Sequence, residues 1–118
     1  MWIVDARHET NPLPVATFFP DREKYFNRPG RFGAHNIVEN ITTEGPWANI
    51  VFLTYFNAGL RAVDVSDPLR PKEVGCYVPE LSGERQAVQS NDIGSDDNGL
   101  LYLIDRAGAG MHILEYTG

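Results

Sequence analysis

Asn49–Pro79 reads NIVFLTYFNAGLRAVDVSDPLRPKEVGCYVP, and its punctuation predicts three consecutive strands. Ile50–Tyr55 is a run of β-branched, aliphatic and aromatic residues, stopped by Asn57-Ala58-Gly59. Leu60–Val65 forms the next run and ends at Asp67-Pro68; Pro71–Val78 forms the third and ends at Pro79. Short apolar runs separated by Gly, Pro and Asp are the pattern of an antiparallel all-β meander.

The rest of the chain repeats parts of this stretch. With a shift of 59 residues and no gap, Met1–Pro20 lies on Leu60–Pro79: Val4 on Val63, Asp5 on Asp64, Pro12 on Pro71, Val15 on Val74 and Pro20 on Pro79. Leu100–Leu103 matches Ile50–Leu53. After one inserted residue, Gly110 matches Gly59 and Met111–Glu115 covers Leu60–Asp64. Upstream, Ala34-His35-Asn36-Ile37 matches Ser90-Asn91-Asp92-Ile93. With the strands of a unit named A to D, the chain reads C-D over 1–20, A-B-C-D over 32–79 and A-B-C over 87–117. Four-stranded units of roughly 40–50 residues are the sequence signature of propeller blades. One blade cannot bury both of its faces, so it needs neighbours.

AGLRAVDVSDPLRPKEVG resembles the LVIVD repeat, a β-propeller repeat of bacterial and archaeal proteins; MWIVDARHETNPLPVATF is a looser copy, and SNDIGSDDNGLLYLIDRAGAGMHILEYTG resembles the C-terminal blade of such proteins. The resemblance spans nearly the whole chain and implies fold more than activity. It is more distant to selenium-binding-protein-type propellers, some of them metal-dependent methanethiol oxidases, whose multi-histidine clusters this sequence lacks. The expected fold is therefore all-β, with four-stranded antiparallel blades. Propellers close with roughly 4–8 blades and this chain carries about two and a half. The remaining strands would come from a longer chain or from other copies of this one.

Composition narrows the partners. The 118 residues carry a net charge of −6, with a pI of about 4.9. No basic stripe is available for nucleic acid or for an anionic membrane surface. No apolar run reaches transmembrane length, and the first residues lack the basic and apolar regions of a signal peptide; a longer parent could still be secreted or displayed at a cell surface. Cys76, the single cysteine, reads as a small apolar strand residue. Asn40-Ile41-Thr42 is formally a glycosylation sequon and reads as a chance match in a polar loop.

In a propeller the D–A crossovers and B–C turns share a face, here collecting Asp21–Arg31, Tyr55–Gly59, Glu80–Gln89 and Asp105–Gly110. Loops on one face of a repeat array commonly carry the binding site. The candidate ligand-binding residues are Arg31, His35, Asn36, Tyr55, Asn57, Asn91, Asp92, Asp105 and Arg106. Ala34-His35-Asn36 and Ser90-Asn91-Asp92 interrupt apolar strands at equivalent places, so they would ring the channel mouth. They would bind a polar ligand or a divalent metal ion there, with His35 as the metal ligand, or would satisfy backbone groups and channel water. His8, His35 and His112 have no ligand spacing between them. Asp96-Asp97-Asn98-Gly99 reads as a hairpin turn rather than a calcium loop, and Asp5, Asp64 and Asp67 read as turn-fixing carboxylates. No catalytic constellation is legible. The functional expectation is a non-catalytic scaffold binding a protein or a small molecule on its loop face. The alternatives are a metal-dependent oxidase or hydrolase at the channel mouth, and strand-edge assembly into a ring or filament.

Overall fold

Within each predicted unit, successive apolar runs pair with one another. The computed structural model describes residues 1–38, 44–45, 47–81, 83–84 and 86–118. Among them, strands β1 (Trp2–Asp5) and β2 (Leu13–Thr17) form one sheet. Strands β3 (Ile50–Thr54), β4 (Leu60–Asp64) and β5 (Lys72–Tyr77) form a second, and β6 (Ser90–Ser95), β7 (Leu100–Asp105) and β8 (Gly110–Glu115) a third. All pairings are antiparallel. The described residues are all-β apart from one helical turn, α1 (Arg22–Tyr25).

Three expectations shift in detail. Strand A of the unit expected over 32–79 is reduced to a short seam on β3: His35 N–H donates to Thr54 O (3.0 Å), Thr54 N–H to Asn36 O (2.8 Å) and Val38 N–H to Phe52 O (3.0 Å). Glu39 and the Asn40-Ile41-Thr42 sequon lie outside the described residues. Strand A of the unit expected over 87–117 begins only at Ser90, because the Gln89 N–H goes to the Asp105 carboxylate (2.6 Å) instead of a ladder partner. The 21–31 crossover contains α1, whose first turn is capped by the Asp21 side chain accepting from Glu23 N–H (3.0 Å) and Lys24 N–H (3.2 Å).

Registers agree between positions that match in sequence. The pairs Trp2↔Thr17, Ile3↔Ala16, Val4↔Pro14 and Asp5↔Leu13 reappear 59 residues on as Arg61↔Cys76, Ala62↔Gly75, Val63↔Glu73 and Asp64↔Lys72. The bulge falls at the same point in both hairpins, between Ile3 and Val4 and between Ala62 and Val63. Ile50↔Asp64 and Thr54↔Leu60 likewise correspond to Leu100↔Glu115 and Ile104↔Met111.

The sheets stack with the β3–β5 sheet in the middle. Alternation along β3 sends Val51, Leu53 and Tyr55 to one side, into a core with Phe18, Tyr25, Ala58 and Val63. Phe52 goes to the other side, with Leu60, Ala62, Ile93, Leu101 and Leu103. Both faces are covered, which is why IVFLT reads as a continuous apolar run. Arg61 of β4 is buried in the first of these two cores, the junction on the β1–β2 side of the middle sheet. Its guanidinium stacks 4.4 Å over the Tyr25 ring, bonds Ala58 O and reaches Glu73 at 3.4 Å.

The turns are tied by carboxylates. Asp5 accepts from Arg7 N–H (3.0 Å), Asp64 from Ser66 N–H (2.8 Å), Asp67 from Leu69 N–H (3.0 Å) and Asp96 from both Asn98 N–H (3.0 Å) and Leu100 N–H (2.9 Å). The Arg7 guanidinium and backbone N–H hold the Asp5 carboxyl down to about 2. The Ser66 N–H lowers Asp64, and the Leu100 N–H lowers Asp96. Lowered folded-state values contribute stability above the ordinary carboxylate range, and that contribution is lost as pH falls. For Asp5 the loss is complete only as pH passes about 2. Carbon-detected NMR titration should place Asp5 there and return it to the ordinary range in Arg7→Ala; an unmoved midpoint would contradict the assignment.

Gly59 and Gly110 close equivalent turns with φ of +77° and +86°. A Cβ on Gly59 would meet Tyr77 O at 2.2 Å, whereas one on Gly110 meets nothing within 4 Å. Gly110→Ala should therefore lose only the left-handed backbone term, about 1–2 kcal/mol. Gly59→Ala adds a collision with the β5 backbone and should exceed about 3 kcal/mol. Urea midpoints of the two variants decide this, and equal losses would refute it.

Candidate functional site

The polar residues that interrupt the two equivalent strand starts meet across the junction of the second and third sheets. His35 Nδ1 lies 2.7 Å from Asn91 O. Because a carbonyl only accepts, Nδ1 carries the proton and Nε2 of the neutral ring keeps its lone pair. Asn36 Nδ2 donates to Asp92 Oδ1. Each of these two side chains also accepts from the next backbone N–H, Asn36 from Ile37 (3.0 Å) and Asp92 from Ile93 (2.9 Å). The buried Thr54 hydroxyl ties the two segments together: Oγ1 donates to Asn91 O (2.9 Å) and accepts from Asn36 N–H (3.0 Å).

Phe56 fixes the approach. Its backbone exchanges two 3.1 Å bonds with Ser90, bridging the second sheet to β6. It does so at φ +43°, a conformation that costs a bulky residue energy and persists only where the surroundings enforce it. The Phe56 ring meets the His35 ring edge-on at 4.9 Å and lies 5.9 Å beneath the Arg31 guanidinium. His35, Asn36 and Arg31 are exposed, and Asn91 and Asp92 are half-buried. Asn91 Oδ1 and the Ser90 hydroxyl are buried and have no hydrogen-bond partner among the described residues. The result is a strip with an imidazole acceptor, a carboxylate, two amides and a nearby guanidinium, suited to hydrogen-bonding a polar ligand.

The other candidates lie elsewhere. Tyr55 is in the core against Phe32, with ring centroids 5.1 Å apart, and burial pushes its hydroxyl pKa up. Asn57 is buried: Nδ2 reaches Tyr25 O (3.3 Å), Arg28 O (3.1 Å) and Pro29 O (3.5 Å), pinning the α1 crossover to the β3–β4 turn. Asp105 is buried, holding Gln89 N–H (2.6 Å) and Ala107 N–H (2.7 Å). Arg106 is exposed, and its backbone N–H is bonded to Gln89 O (3.0 Å). The crossovers and turns thus contact one another directly. Beside Asn57 they enclose a cleft of about 450 Å³ bordered by Arg28, Pro79, Glu80, Gln86 and Val88.

Cys76, read from sequence as an apolar filler, is exposed. It lies on β5, an outer strand of its sheet. His112 pairs with the Tyr77 hydroxyl at 3.2 Å, and His8 sits in an exposed turn. Among the described residues no three His, Cys, Asp or Glu side chains gather as a metal-binding group. Thr54 escaped the sequence reading, and Phe56 and Gln89 entered it only as members of the loop ranges, not as candidate residues. Thr54 and Phe56 look like ordinary strand-end residues. Gln89 acts through its position: its Oε1 accepts from Arg31 N–H at 3.2 Å, and its side chain fills the space where a Cβ on Gly30 would sit.

Compared with family models, curated proteins and solved structures, the chain has no match. The site's meaning therefore rests on its chemistry.

Asn57 offers a check on the built part of this face. Asn57→Asp sets a carboxylate against the three carbonyls that Nδ2 now serves, so it should destabilise by about 3 kcal/mol or more. Asn57→Ala should cost less, about 1–3 kcal/mol. Thermal melts with Ala the worse of the two would overturn this role.

Proposed function

We propose that the chain is a β-propeller module of the LVIVD-repeat kind, serving as a non-catalytic binding scaffold. Its ligand-contacting surface is the strip of His35, Asn36, Asn91 and Asp92, with Arg31 and Phe56 beside it. The observation that carries this reading is the pairing of polar residues from equivalent positions of neighbouring sheets, with His35 and Asn36 exposed. Apolar strands carry no packing reason for polar residues there, and surface polar groups held by a rigid scaffold are the usual substance of binding sites. The matched registers 59 residues apart support the blade reading, and the contacts of one crossover with another and with the β3–β4 turn support a shared loop face.

The test is a ¹⁵N-correlation NMR titration with a panel of small sugars, amino acids, nucleosides and dicarboxylates. A binder should shift the signals of residues 31–36, 54–57 and 89–92, and Asp92→Ala should weaken it by about tenfold or more, the usual scale for losing a charged hydrogen bond. Shifts confined to other regions, or no binder at all, would count against the strip.

One observation favours a metal-dependent reading as the second. A ligating histidine almost always donates its other ring N–H to a carbonyl or carboxylate, and His35 Nδ1 does so to Asn91 O. His35 Nε2 would then bind the ion, with further ligands from outside the described cluster. Titration with Co²⁺ tests it: a visible d–d band abolished by His35→Ala supports this reading, and an unchanged spectrum removes it.

A further inference from the structure

The two outermost sheet faces are uncovered, and each is the counterpart of a face that is covered in the middle sheet. On β4, Val63 faces the first junction and is 0% exposed, while Leu60 and Ala62 face the second at 5% and 4%. The registers place Val4 of β1 in the position of Val63, and Met111 and Ile113 of β8 in those of Leu60 and Ala62. In these outer positions Val4 is 49% exposed, with Trp2 on the same side at 69%; Met111 and Ile113 are 56% and 58% exposed, with Ile104 beside them at 45%. Both internal junctions follow one rule. At the first, Met1, the counterpart of Leu60, packs into the core that holds Val63. At the second, Leu114, the counterpart of Val63, packs against Leu60 and Ala62. A Leu60-type face meets a Val63-type face each time, and the uncovered surfaces are one of each type.

We propose that these two faces bind each other between copies of this chain. The Trp2–Val4 face of one copy stacks on the Ile104–Met111–Ile113 face of the next, continuing the internal stacking across the subunit boundary. The contact is heterologous, so it propagates head-to-tail into a ring if the rotation closes and into a filament if it does not. It uses sheet faces, independent of the polar strip and of any ligand. Exposed aliphatic and aromatic clusters of this kind are what soluble chains cover.

The experiment is light scattering after size exclusion over a concentration series. Wild type should increase in mass with concentration. Trp2→Lys and Ile113→Lys, each altering an exposed side chain on one face only, should weaken self-association by about tenfold or more. Because each variant keeps the face that the other has lost, an equimolar mixture should form a heterodimer and stop there. Trp2→Thr and Ile113→Thr, which keep strand propensity, repeat the test if a lysine variant melts early. A wild type that stays monomeric up to several hundred micromolar overturns the proposal, as does a mixture that stays monomeric or association indifferent to both substitutions.

Discussion

The two-sided burial of the β3–β4 hairpin is the constraint on which the other parts depend. A sheet whose two faces are both apolar has no solvent side, so it requires a neighbour on each. Leu53, Val63 and Leu103 are fully buried, each contributing roughly 1.5–3 kcal/mol of hydrophobic free energy. The β6–β8 sheet supplies one neighbour; on the other side Met1 and Phe18, at the ends of the β1–β2 hairpin, and Tyr25 and Phe32 of the crossover supply the second. Arg61 shows how strongly the first junction is enclosed: a guanidinium tolerates that position because the Tyr25 ring, Ala58 O and Glu73 surround it.

The polar strip is a consequence of that stacking. Bringing the second and third sheets together aligns the starts of their matching strands. Thr54, itself without solvent access, can then hydrogen-bond to both segments at once. Phe56 takes an unfavourable backbone conformation so that Ser90 can pair with it. The strip is therefore held by packed elements rather than by free loops, so its donors and acceptors are preorganised.

The same chemistry recurs with different roles in different places. Asp5, Asp64 and Asp96 spend their carboxylates on turn amides near the surface. Asp105 does so inside, tying Gln89 and the β7–β8 turn together. Asp92 alone among these is turned to a side chain of the neighbouring sheet's seam. Residue type says little about which role applies; the partner decides it.

Most strand positions, the turn carboxylates and the sequence matches between units were legible because they rest on local rules: alternation, Gly at positive φ and Asp two residues before a free N–H. The likeness of His35-Asn36 to Asn91-Asp92 could also be read, since it is a matter of sequence comparison. That these pairs touch could not be read, because the contact joins residues 56 positions apart and depends on how two sheets pack. The inward placing of Tyr55, Asn57 and Asp105 was hidden for the same reason: polar residues in turns look exposed until another segment covers them. Local geometry is written in neighbouring residues, whereas burial and partnership are set by which distant surfaces meet.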